Sequence, residues 1–297
     1  MVILIFITLI AVGLCLGSFV NAFVWRHYAQ AQLAEERDAL ADTKTPAAAE
    51  KRQALDTRRA ELSIVRGRSM CTHCKHPLAA RDLIPVVSFL WLGGKCRYCG
   101  HKIEDSPLAE LLTPLLFIIS YVGWPRELQG MEWLFFVLWL LLLVGFVALV
   151  LYDLRWFLLP HSIVLPLIAL AVVYVLLLAT VGQGGVPVLV GAFSGAVLIS
   201  GIFYLLYWIS KEQWIGGGDV TLGFLLGLLS GGPAKALLLV FLASFIGTLI
   251  ALPLLLLGRA GRGTRLPFGP LLILAGIIVV LFGDRIIRWY TGQFLAI

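Results

Sequence analysis

Two aspartates in apolar surroundings carry the first candidate chemistry: Asp153 in "LYDLRWFLLPH" and Asp219 in "QWIGGGDV". Arg155, two residues after Asp153, faces elsewhere on a helix. Each aspartate has a plain structural reading, Asp153 as an interfacial helix end and Asp219 as an N-cap accepting from the amide of residue 221 or 222. As a pair they suit amide hydrolysis. Two carboxylates within about 3 Å cannot both ionise, so they share a proton and titrate together. The ionised member takes a proton from water while the protonated one polarises a carbonyl, and neither a metal nor a nucleophilic side chain is required. Gly216, Gly217 and Gly218 lack Cβ atoms, which lets an extended substrate backbone approach Asp219 closely. Irregular backbone at membrane depth is tolerated where it lines a watery cavity.

A second constellation is Cys71, Cys74, Cys96 and Cys99, spaced C-x2-C-x21-C-x2-C as in zinc ribbons. Each C-x2-C points two thiolates at one ion, with Gly93, Gly94 and Gly100 supplying turns. Four thiolates leave no open coordination position, so the expected zinc is structural. Two disulfides are the alternative, and a reducing cytoplasmic setting argues against them. His73, His76 and His101 lie close enough to replace a ligand or to be solvated knuckle residues. Cys15 reads as a small apolar packing residue.

The elements that position these residues are apolar helices. The chain of 297 residues is 60% hydrophobic and 13% charged, with a mean hydropathy of +0.95. A soluble domain carries about 25% charged residues. This pattern specifies an all-α polytopic membrane protein set in a lipid bilayer. A net charge of +6 would suit a nucleic-acid binder. However, 14 of the 23 basic residues fall within residues 26–102, so the asymmetry reports membrane orientation. Runs of about 20 apolar residues predict eight spans: 3–24, 107–124, 131–152, 161–182, 187–209, 219–231, 235–258 and 267–284. The sixth is short. Eight spans place Arg155, Lys211, Arg259, Arg262 and Arg265 on the side of the basic loop, against Arg126, Lys235, Arg285 and Arg288. The N-terminus is then outside and the basic loop cytoplasmic. Glu110, Asp153 and Asp219 share the cytoplasmic face; Glu132 and Asp284 lie opposite.

No basic residue precedes the first apolar run, which is too long for a signal-peptide core and lacks a small-residue cleavage site. It reads as a retained helix over 1–25, with Trp25 and Arg26 anchored at the inner interface. A cytoplasmic domain over 26–106 follows, then a membrane domain over 107–297. Within the cytoplasmic domain, residues 29–65 predict two antiparallel helices forming a solvated, charged spacer. Leu33 and Leu40 stripe one, Leu55 and Leu62 the other, with Thr45 as N-cap and Pro46 as first helical residue. The four-cysteine region occupies 66–104.

These residues, in order, resemble the type IV prepilin peptidases, membrane aspartic proteases with a GxGD motif. "GSFVNAFVWR" (17–26) is similar to the family's first-helix signature. "RSMCTHC" (68–74), "LIPVVSFL" (83–90) and "KCRYC" (95–99) resemble its cysteine domain, and "ELLTPLLF" (110–117) its second helix. "LYDLRWFLLP" (151–160) resembles the segment with its first aspartate, "GGGDVTLG" (216–223) carries the GxGD, and "LPFGP" (266–270) matches the opening of its last helix.

The resemblance implies cleavage of the basic leader of prepilins and pseudopilins at the cytoplasmic face of the bacterial inner membrane. It also implies N-methylation of the new N-terminus from S-adenosylmethionine, as in type IV pilus and type II secretion systems. It makes Asp153 and Asp219 the catalytic pair and the four cysteines the zinc ligands. No glycine motif for the methyl donor is visible, so the residues binding it are unassigned and a peptidase without methylation is an alternative. The chain departs from the family at His161, where an acidic residue is frequent, and at Thr221, where a basic one is. A proton-coupled transporter using the same two aspartates is a reading from another class. The absence of a convincing internal repeat and the cysteine knot weigh against it. An idle assembly scaffold would need neither the aspartates nor the glycines.

Overall fold

The computed structural model describes residues 2–43, 45–64, 67–103, 107–182, 184–258, 261 and 266–294. Arg259, Arg262 and Arg265, used above for orientation, lie outside the described residues. The chain divides into two compact units, Met1–Ile118 and Ile119–Ile297. Among the described residues it is helical, with no strand longer than an isolated bridge. Six helices are long and apolar enough to cross a membrane, and two further apolar helices are shorter. All eight expected apolar segments are helices.

In the first unit, α1 (Val2–Ala39) continues without a break well past the expected end of its span. No proline or glycine interrupts residues 25–39, and the polar sequence is a good helix former. The first arm of the expected hairpin is therefore the end of α1, and α2 (Pro46–Glu61) is the second. Thr45 caps α2, its Oγ1 accepting from the Ala48 amide at 3.3 Å. Arg37 pairs with Asp56 at 2.8 Å and Lys51 with Glu36 at 2.9 Å, which fixes the antiparallel register. Arg26 is held by the protein itself. It is only 7% exposed and donates to the carbonyls of Ser63 and Gly67, at 2.9 and 3.0 Å, in the chain that returns from α2. Cys15 is exposed on α1 rather than packed.

A 3-10 turn (Ala80–Leu83), the short α3 (Val87–Trp91) and the start of α4 (Leu108–Gly123) complete this unit.

The second unit begins with α5 (Glu132–Trp156), whose Phe135, Phe136, Trp139, Leu142, Leu143 and Phe146 are almost fully buried. A helix apolar on every side belongs inside a bundle. The helix α5 packs against α6 (His161–Thr180) and α10 (Gly269–Phe294), while α8 (Gly217–Ser230) is held among α6, α7 (Gly185–Ser210), α9 (Pro233–Leu256) and α10. The helix α8 has 14 residues, too few to span about 30 Å of hydrocarbon. Its leucines 222, 225 and 226 are buried, so it is enclosed by helices instead of by lipid. Small residues let α7 and α8 touch: a Cβ on Gly195 would lie 2.7 Å from the Gly227 carbonyl oxygen. The α7 start meets the α8 end at Gly191 and Gly231, and Lys235 pairs with Asp284 at 2.7 Å.

Candidate active site and metal centre

At the other end of that bundle the end of α5 and the starts of α8 and α10 converge. Asp153 sits in the last turn of α5, which closes on the left-handed Phe157 (φ 54°). The chain then runs through Leu159 into α6. A Cβ added to Gly218 would come within 2.8 Å of the Leu159 Cβ. A Cβ added to Gly269 would lie 2.6 Å from Asp153 Oδ2 and 3.5 Å from Leu159 Cδ1. Leu159 is thus the wedge between α8 and α10, and two glycines admit it.

Asp153 is buried, 6% exposed, and its Oδ2 accepts from the Gly269 amide at 3.1 Å. Asp219 is half-buried, and its Oδ2 accepts from the Gly216 amide at 3.3 Å. Both carboxylates stand beside Leu159, which abuts Gly218, next to Asp219, and Gly269, the donor to Asp153. Among the described residues neither forms an ion pair, whereas Glu132 is held by Arg126 at 3.2 Å and Asp284 by Lys235. Glu110 gives an oxygen to the Val86 amide at 2.6 Å. Of the five acids near helix ends, Glu110, Asp153 and Asp219 meet only a backbone amide among the described residues, and of these Asp153 and Asp219 stand at the converging ends of α5 and α8. Each commits Oδ2 to one amide and presents Oδ1 for other work.

The cap expected of Asp219 runs the other way. Gly216 is the N-cap (φ −81°, ψ 155°), and Asp219, third residue of α8, reaches back to it. The positive end of the α8 dipole favours a carboxylate there. The glycines are not an irregular loop, for Gly217 and Gly218 form the first turn of α8. Gly218 is consumed by Leu159. Around Gly216 and Gly217, their neighbours along the helix aside, no described residue lies closer than 3.7 Å to an added Cβ, so this side is open to another backbone.

Gly269 was not singled out by its chemistry. Its only trace in the sequence is the segment "LPFGP", one of those that resemble the family.

In the first unit the four cysteine sulfurs lie within 4.8 Å of one another, and Cys71 and Cys99 are 3.9 Å apart. Sulfurs on a tetrahedral zinc, at about 2.3 Å each, stand about 3.8 Å from one another. The donor set and its spacing fit such an ion, and all four cysteines are free of disulfides. Two matching knuckles carry them. The Cys71 amide donates to the His76 carbonyl at 3.0 Å and the Cys96 amide to that of His101 at 2.8 Å. Lys75 and Gly100, each four residues after the first cysteine of its knuckle, donate back to it and take left-handed φ values of 57° and 69°. His73 stacks on His101 at 4.0 Å and His76 on Tyr98 at 3.8 Å. The cluster of possible ligands among the described residues contains the cysteines and none of these histidines. Asp82 ties the second knuckle to the 3-10 turn: Arg97 donates to it at 2.7 Å, Tyr98 at 3.0 Å and the Ala79 amide at 3.2 Å. The Arg97 guanidinium is the main cause that holds the Asp82 carboxyl below its ordinary value.

Residues 11–124 match the bacterial peptidase A24 N-terminal domain, and residues 134–252 match the type IV leader peptidase family. A protein of Aeromonas salmonicida called prepilin leader peptidase/N-methyltransferase is 32% identical over 95% of this chain and 92% of its own length. Its namesake in Pseudomonas aeruginosa is 34% identical over 95% and 91%, and that of Bacillus subtilis 32% over 79% and 89%. No solved structure matches. With both family domains in order and relatives matched along most of their length, the chain belongs to the type IV leader peptidase family.

Proposed function

We propose that this protein removes the basic leader from type IV prepilins and pseudopilins and then N-methylates the residue exposed at the new N-terminus. The observation that carries the first half is the acid pair: two carboxylates, each held by one backbone amide and, among the described residues, by no cation, where three helix ends converge. In this reading Asp153 and Asp219 share one proton. The ionised carboxylate takes a proton from water as the water oxygen attacks the scissile carbonyl carbon. The protonated one hydrogen-bonds the carbonyl oxygen as it gains charge. Collapse breaks the C–N bond, and a proton passes from the pair to the leaving amine. Gly216 and Gly217 admit the substrate backbone beside Asp219. In this reading the protein lies in the bacterial inner membrane with the acid pair facing the cytoplasm.

The metal of the four-cysteine cluster is read as zinc, a structural ion that fastens the two knuckles. The methyl donor is read as S-adenosylmethionine, which supplies an electrophilic methyl group when bound. In this reading the segment 26–106 serves methylation and 107–297 cleavage.

Purified protein incubated with a prepilin-like peptide and methyl-labelled S-adenosylmethionine should yield a product shortened by the leader and labelled at its N-terminus. A cleaved, unlabelled product would reduce the reading to a peptidase. An intact peptide would overturn it.

A further inference from the structure

Within the first unit, α1 encloses a cavity of about 190 Å³ together with the loop around the first knuckle, α3 and the first turn of α4. A groove of about 360 Å³ adjoins it and shares Ser18, Ala22, Arg26, Ser69 and Leu83 with it. Neither belongs to the acid pair, and the metal cluster does not need them.

Their walls carry complementary charges. Arg26 lines both spaces while 93% buried, since only 7% of it is exposed. It donates to neutral carbonyls at one edge, and among the described residues no carboxylate pairs with it. A buried guanidinium without an anion is costly, so its ligand of choice is a carboxylate. Glu110 supplies the opposite sign from α4. A Cβ on Gly17 would lie 2.7 Å from its Cα, so α1 and α4 touch beside it. Only its Oε2 is used, by the Val86 amide at 2.6 Å. Oε1 takes no hydrogen bond among the described residues. Asp82 also lines the cavity, but Arg97, Tyr98 and Ala79 already hold its two oxygens.

The backbone that fixes Glu110 is strained. Val86 has φ 62° and ψ −48°, and the Val87 amide donates to the Pro85 carbonyl at 2.6 Å. That is a γ-turn with positive φ, rare and strained for a β-branched residue. Such strain persists where the surroundings over-determine it, and it gathers at ligand sites. The rings of Trp25 and Phe89 complete the lining.

One buried cation, one carboxylate and two aromatic rings match a ligand that joins an amino-acid zwitterion and a sulfonium to an adenine. We propose that this cavity and its groove hold S-adenosylmethionine. Arg26 faces its carboxylate, Glu110 its cationic end, and Trp25 and Phe89 its adenine ring. This inference rests on the methylation reading and gives it a place.

The probe is tritiated S-adenosylmethionine on the purified full chain in detergent. Photo-crosslinking followed by peptide mapping should place the label within residues 18–26, 69–92 or 107–110. Label confined to residues 119–297 overturns the site. In equilibrium dialysis, Glu110→Gln should weaken binding roughly ten- to a hundredfold, as for a lost charge-assisted hydrogen bond. Ala22→Phe, which fills the junction of cavity and groove and removes no polar partner, should weaken it as well. Metal content and melting temperature report whether each variant is folded. Wild-type affinity in both folded variants contradicts the site while leaving methylation standing. No binding to the wild type contradicts methylation, and the site falls with it.

Discussion

At Asp153 a single backbone amide decides where a carboxylate oxygen points. The donor, Gly269, can stand so close because it has no side chain, and a Cβ there would lie 2.6 Å from Asp153 Oδ2. Gly269→Ala should therefore turn the carboxylate away without unfolding a buried bundle. Misplacing a reacting group by about 1 Å costs on the order of a hundredfold in rate. The expected outcome is a fall of that order in kcat for peptide cleavage with KM little changed. A wild-type kcat would mean that the amide does not position Asp153. Asp153 and Asp219 were legible in the sequence because a carboxylate beside an apolar run requires a reason. Gly269 was not, because one glycine in a glycine-rich membrane protein signals nothing until the carboxylate beside it is placed. The partners of Arg26 are illegible for a similar reason: a basic residue at the end of an apolar run suits an interfacial anchor, and only the chain returning from α2 supplies the carbonyls that bury it.

Among the elements, the two cysteine knuckles are independent loops until something joins them. Their spacing made the four ligands plain, while the stacking of His73 on His101 and of His76 on Tyr98 depends on how the two loops face each other. Metal binding in such a site is folding energy. Cys71→Ser should lower the metal content and the melting temperature of the first unit, and metal content unchanged by mass spectrometry would contradict a four-thiolate site. Asp82 provides a second fastening with a defined pH dependence. Its folded-state value is depressed, chiefly by Arg97, so its contribution is fully present above its ordinary value of 3.8 and is lost as pH falls through the folded value. The Asp82→Asn variant should melt a few degrees below the wild type at neutral pH, and the gap should close at the acid end of that window. A gap that stays constant across the acid range would assign the effect to packing. In the second unit, α8 corresponds to the short sixth apolar run of the sequence, and its 14 residues do not cross a bilayer. Its buried leucines and its close fit to α7 explain why a short helix persists there and holds Asp219 at its N-terminal turn.

For the whole molecule, hydropathy was enough to mark eight apolar helices, since burial in lipid demands long uniform runs that no tertiary contact can disguise. Where helices end was less legible. The first one extends to Ala39 because its polar half is as good a helix former as its apolar half, and composition marks the water boundary instead of the helix boundary. The meeting of α5, α8 and α10 was the part the sequence could not contain, because Asp153, Asp219 and Gly269 are brought together by packing round Leu159. The central claim is that this meeting point is a catalytic acid pair. It is tested most directly by the cleavage rate of a prepilin-like peptide with purified Asp153→Asn and Asp219→Asn, each checked for metal content and melting temperature. Each folded single variant should lose about a thousandfold or more in kcat/KM, since two carboxylates acting as one unit fail together. Either variant cleaving within about tenfold of the wild-type rate would contradict the pair.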